Sequence, residues 1–139
     1  MGQSVVWSHR VTLPPNASSA AAAREFTRAR LVEHDLSYLV EDVRLVASEL
    51  ATNAALHAKT AFTVLLEGFE RMVRVSVSDD SVLLPVVCTP SAMDTAGRGL
   101  GIVDLYSRAW GVTDGKRNAK WVWATFEVRS APTGGARRA

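Results

Sequence analysis

A single cysteine, Cys88, stands in the 139 residues, which excludes an intrachain disulfide and fits a reducing compartment. Charge of one sign is lacking as well. Lysine and arginine number 16 against 14 acidic residues, and a formal net charge of +2 is too small to favour nucleic acid as a direct partner. No apolar run approaches the roughly 20 residues that cross a bilayer, and the N-terminus lacks the basic-then-apolar layout of a secretion signal. A soluble cytoplasmic protein with no membrane partner is the expectation. Only 3 histidines are present, and no grouping of His, Cys and carboxylate has the local spacing of a metal site. No G-K-[ST] follows a glycine run, which excludes a Walker loop, and no nucleophile elbow supports Ser-His-Asp catalysis. Internal repeats are absent.

What is present suits one globular domain. The chain is 47% hydrophobic and 22% charged, and its length is ample for one core and short for two. The domain is expected over residues 1–129, with the Gly-, Pro- and Arg-rich residues 130–139, including Arg137 and Arg138, as a disordered tail. Its organising stretch runs from Ser37 to Ala58, SYLVEDVRLVASELATNAALHA. Leu39, Val43, Val46, Leu50 and Ala54 recur at three- and four-residue steps, one apolar stripe of an α-helix. Ser37 is the expected N-cap. Glu49 and Asn53 sit one turn apart at the edge of that stripe, so they share a face that borders either the core or a cleft.

Around this helix the period changes to two. Val5 to Leu13 is rich in β-branched residues and stops at Pro14-Pro15, a first strand. A helix from about Ala17 to Glu33 follows, with Asn16, Ser18 or Ser19 as its cap, and His34-Asp35 break it. Ala61 to Glu67 and Met72 to Ser78 are strands joined through Gly68-Phe69-Glu70-Arg71. Val82 to Ala96, with Pro85 and Pro90, has no sustained period and is expected to form a lid that carries Cys88. Gly97-Arg98-Gly99-Leu100-Gly101 then leads into a short helix with Val103 and Tyr106 inward, and Gly111 marks its exit. A brief strand from Val112, a turn at Asp114-Gly115 and a last strand from Lys120 to Val128 complete the chain. The expected architecture is α+β: a two-layer sandwich with a mixed, mostly antiparallel sheet and helices on one face.

Three local signals could carry chemistry. Gly97, Gly99 and Gly101 ahead of a helix let backbone amides approach an anion, a pattern that plain turns share. The spacing is not that of a dinucleotide fingerprint. Asp79, at a strand end, is either a turn former or a carboxylate that accepts a hydrogen bond from an exocyclic amine. His57 suits the C-terminal end of the helix dipole.

Taken in order, E-L-A-T-N-A-A-L-H-A on a helix, V-S-D-D-S after a hairpin strand and G-R-G-L-G before a helix resemble the Bergerat-fold ATPases. That superfamily includes gyrase-type topoisomerases, heat-shock chaperones and sensor histidine kinases. From Val5 to Val128, the size, the short lid, the run G-R-G-L-G-I-V-D-L-Y-S-R-A-W-G-V and the ending W-V-W-A are most similar to the small anti-sigma factor serine/threonine kinases of actinobacterial type. The resemblance implies the Bergerat ATP-binding fold, with ATP and Mg²⁺ as cofactors. Asn53 would hold the Mg²⁺ and Glu49 would be the general base. Asp79 would bind the adenine amine with Ser81 beside it, and Gly97, Arg98, Gly99, Leu100 and Gly101 would close over the phosphates. The implied function is an ATP-binding regulator that sequesters a sigma factor and phosphorylates a serine of an anti-anti-sigma partner of the STAS type. A homodimer is compatible with it. The alternatives are an ATP-gated partner switch without transfer, and a fold that keeps no nucleotide. Two departures concern the adenine side. Ser81 stands where the family usually has glycine, and Ala119, Lys120 and Trp121 replace a Gly-Lys-Thr or Gly-Thr-Thr segment.

Overall fold

The computed structural model describes residues 4–57, 60–79, 101–114 and 120–129. Val5–Leu13 forms strand β1, where the β-branched run suits a pleated surface and the prolines stop it. Helix α1, Ser18–Glu33, is entered through an Asx turn: Asn16 Oδ1 accepts from Ser18 N at 2.9 Å and from Ser18 Oγ at 2.6 Å. The cap position itself is Ala17. Ser19 does not cap; it is buried, and its hydroxyl donates back to the Pro14 carbonyl. The helix ends at His34, and the chain reverses through Asp35, whose φ of 62° lies in the left-handed region that a short polar side chain tolerates.

Ser37 does not cap the central helix either. Ser37–Leu39 forms a 3₁₀ turn with Leu36 at its cap position, and helix α2 then runs Val40–His57. Glu41 and Asp42 in its first turn complement the N-terminal partial charge in place of a side-chain cap. The predicted stripe holds: Leu39, Val43, Val46, Leu50 and Ala54 are all buried, joined by Ala47 and Ala51. Each fully buried valine or leucine contributes about 1.5–3 kcal/mol of transfer free energy, so this stripe anchors α2 far more strongly than its intrinsic propensity does.

The stripe packs on a five-stranded sheet of β1, β2 (Phe62–Phe69), β3 (Met72–Asp79), β4 (Ala109–Asp114) and β5 (Lys120–Glu127). The strand order is β1-β2-β3-β5-β4. Every pairing among the described residues is antiparallel, so the expected mixed sheet is corrected to an antiparallel one. The class is α+β as expected. Phe62, Val64 and Leu66, Val73, Val75 and Val77, and Val122, Ala124 and Phe126 form the buried rows, in one core with the α2 stripe. Helix α2 lies chiefly on β3, and α1 packs along α2. Arg24 Nη1 donates to the buried Ser48 Oγ at 3.0 Å across that helix pair.

The alternate rows face away from this core. Leu65, Glu67, Arg74, Ser76, Thr113, Trp121 and Trp123 line a groove of about 380 Å³ there. Within it Arg74 Nη2 pairs with Glu67 Oε1 at 2.8 Å, directly across the β2–β3 ladder.

Two glycines expected at breaks lie inside strands. Gly68 pairs with Trp7, and a Cβ there would collide with the indole; β2 continues to Phe69 and the β2–β3 turn shrinks to Glu70-Arg71. Gly111 pairs with Trp123, whose ring would meet an added Cβ at 2.7 Å. Strand β4 accordingly starts at Ala109, and the preceding helix α3, described over 101–106, ends earlier than expected. Val103 of α3 is fully buried, whereas Tyr106 is 41% exposed instead of inward. Trp110 Nε1 donates to Asp104 Oδ1 at 3.0 Å and ties β4 back to α3.

Candidate functional site

The 3.6-residue period of α2 carries Glu49 and Asn53 to one edge of its buried stripe, and both are half-buried. Asn53 Oδ1 is fully buried with no hydrogen-bond partner, the only such side-chain atom among the described residues. An unsatisfied buried acceptor costs about 1–3 kcal/mol. A neutral carboxamide oxygen is a hard donor, suited to Mg²⁺ or to a water in its shell. The Glu49 carboxylate, one turn earlier, has no side-chain hydrogen bond or ion pair among the described residues, so nothing there competes for a proton or ligand.

Helix α2 leads from this pair toward β2. From His57, the last residue of α2, the chain reaches Phe62 in five steps, a span of at most about 18 Å. Phe62 opens β2, and the neighbouring Thr63 pairs with Ser78, the residue before Asp79. Asp79 closes β3. Across the ladder it is paired in register with Lys120, which also pairs with Asp114. Of the segment that departs from the family pattern, Lys120 therefore neighbours Asp79 directly. Trp121 is turned to the opposite face and lines the groove.

Gly101, the first described residue of α3, is exposed, and a Cβ there would meet nothing within 4 Å. No contact among the described residues demands glycine at that position. Ser81, Gly97, Arg98, Gly99 and Leu100 lie outside the described residues, as do Ala119, the expected lid Val82 to Ala96 with Cys88, and the tail 130–139. Beside the Glu49–Asn53 edge, Asn16, Ala17 and Ala20 of the α1 entry face Thr52, Ala55 and Leu56 of α2 across a cleft of about 340 Å³.

No protein-family model matches the chain, and no curated protein matches it.

One cluster escaped the sequence pattern. His9 on β1 and His34 at the end of α1 bring their Nε2 atoms to 2.9 Å, and Glu33 lies beside them. Burial, with help from the Arg30 guanidinium and His34, holds His9 below the usual histidine pKa, against the opposing charge of Glu33. The separation of 25 residues between the two imidazoles hides the cluster from any local spacing rule. Its one signal was that His9 shares the alternation of Trp7, Val11 and Leu13, the inward row of β1.

Proposed function

We propose that the protein is an ATP-binding regulatory kinase of the Bergerat type, which transfers the γ-phosphoryl group of ATP to a serine of an anti-anti-sigma partner and binds a sigma factor. The observation that carries this is the orphaned Oδ1 of Asn53 one turn from Glu49, whose carboxylate has no side-chain partner among the described residues. Asn53 would offer that oxygen to Mg²⁺, which when bound neutralises developing charge on the phosphates. Glu49 would accept the proton of the attacking serine hydroxyl. As that oxygen bonds to the γ-phosphorus, the bond to the bridging oxygen breaks and ADP departs. Asp79, at the end of β3, would accept the hydrogen bond from the adenine amine. Gly97 to Gly101 would supply backbone amides to the phosphates.

A second function, an ATP-gated switch that transfers nothing, would use the same Asn53 and Asp79 and differ from the kinase only in the transfer step. Calorimetric titration with Mg-ATP, followed by radiolabel transfer to a co-purified anti-anti-sigma protein, separates the two. Binding with transfer supports the kinase, binding without transfer supports the switch, and no binding removes both.

A further inference from the structure

We propose that His9, His34 and Glu33 form a binding site for one divalent cation of the zinc class, held between β1 and the end of α1. It is independent of the nucleotide site proposed above. The ligand atoms of the three residues all lie within 4.8 Å of one another, the one such grouping among the described residues. Both imidazoles present the same nitrogen to the shared space, with Nε2 to Nε2 at 2.9 Å and the rings tilted by 45°. Two nitrogens at the usual zinc distance of about 2.0–2.1 Å and a tetrahedral angle would stand about 3.3–3.4 Å apart. Opening the contact by about 0.4 Å is within the reach of small ring rotations.

Without a metal, one imidazole must donate Nε2–H to the bare Nε2 of the other. The cation takes the place of that proton, and the donor ring carries its own on Nδ1 instead, so both rings bind as neutral imidazoles. Glu33 shares one carboxylate oxygen with Arg30 Nη1 at 3.1 Å, which leaves the second oxygen as the third ligand. The guanidinium opposes a cation, so the site depends on nitrogen ligation more than on charge.

The His34 ring is oriented in advance. The Trp7 indole stacks on it at 4.0 Å between centroids and within 5° of parallel. Trp7 in turn lies against Gly68, where any side chain would collide with it. Trp7 and Gly68 are thus positioning residues that reduce the ordering cost of binding. Two imidazoles and one carboxylate prefer Zn²⁺ over the oxygen-seeking Mg²⁺ and leave a fourth, solvent-facing position open.

The test is calorimetric titration of the EDTA-stripped full chain with ZnCl₂ in the absence of nucleotide. One Zn²⁺ per chain is expected, with a thermal midpoint that rises on addition and reverts with chelator, and with no response to MgCl₂ alone. His9→Ala and His34→Ala should each weaken binding by about tenfold or more, and the exposed Glu33→Gln by less. His57→Ala and Cys88→Ser should bind as the parent does. If His34→Ala fails to fold for want of the Trp7 stack, His9→Ala and Glu33→Gln decide. A parent that binds no Zn²⁺, or a His9→Ala variant with parental affinity, overturns the proposal. So does loss of binding in His57→Ala or Cys88→Ser.

Discussion

Replacing Asn53 by alanine should make the protein more stable and less able to bind Mg-ATP, an inversion that a merely structural asparagine would not produce. Its Oδ1 is buried without a partner, so the folded chain carries a desolvation cost of about 1–3 kcal/mol that alanine removes. Alanine is also the better helix former by about 0.5 kcal/mol, and position 53 lies inside α2. Some loss of packing offsets these terms, because Asn53 is only half-buried. A net gain of about 1–2 kcal/mol corresponds to a rise of about 3–6 °C in the melting midpoint for a chain of this size. Thermal and urea unfolding without nucleotide measure it, with the exposed neighbour Thr52→Ala controlling for propensity. Calorimetry with Mg-ATP reads the other half. A variant destabilised by more than the control would mean that Oδ1 has a structural partner, and a variant that binds Mg-ATP like the parent would mean that the orphaned oxygen serves no metal. Either result refutes the role assigned to Asn53.

Glu49→Ala should keep most ATP affinity while phosphate transfer to the partner falls by about 10²–10⁴ in a single-turnover assay; parental transfer would reduce Glu49 to a helix-edge polar residue. Asp79→Asn should weaken ATP by about ten- to a hundredfold, because an amide donor then meets the adenine amine, and equilibrium dialysis at unchanged fold measures it. Gly111→Ala should cost about 1–3 kcal/mol in urea unfolding, since its Cβ meets the Trp123 ring at 2.7 Å; an unmoved midpoint would show that the ring swings aside freely. The depressed pKa of His9 makes the unfolded chain bind more protons than the folded one below the ordinary histidine value of 6.5. Stability in EDTA should therefore be full above that value and decline as pH falls toward the lower folded pKa, with Arg30, Glu33 and His34 the charged neighbours. His9→Gln should flatten this slope.

The fold was legible wherever one local period decided it. The α2 stripe and the alternating valines of β3 each require one burial face, and both faces are buried as the period demands. Misjudged boundaries came from cross-strand contacts that no local window contains. Gly68 and Gly111 have the look of breaks, yet each sits in a strand because a tryptophan on the neighbouring strand covers it. Ser37 suits a cap by type, but the left-handed turn at Asp35 leads into a 3₁₀ turn that makes the cap unnecessary. Tyr106 shares the period of Val103, but α3 ends at 106 and Trp110 of β4 takes up the contact with it.

The candidate site divides the same way. Glu49 and Asn53 lie one turn apart on α2, so their shared face follows from spacing alone. From α2 the chain passes by a short path from His57 to Phe62, and Thr63 of β2 pairs with Ser78, the neighbour of Asp79. The histidine cluster had no such help, since it depends on how β1 sits against the far end of α1. The two sites also differ in donor chemistry. One offers a neutral oxygen beside a carboxylate, suited to a hard cation carried in with phosphates, and the other offers paired imidazoles suited to a borderline metal. His9→Ala should accordingly leave Mg-ATP affinity unchanged and Asn53→Ala should leave Zn²⁺ affinity unchanged, each ligand being titrated without the other. Loss of Mg-ATP binding in His9→Ala, or of Zn²⁺ binding in Asn53→Ala, would place both ligands at one site and remove the distinction on which the two assignments stand.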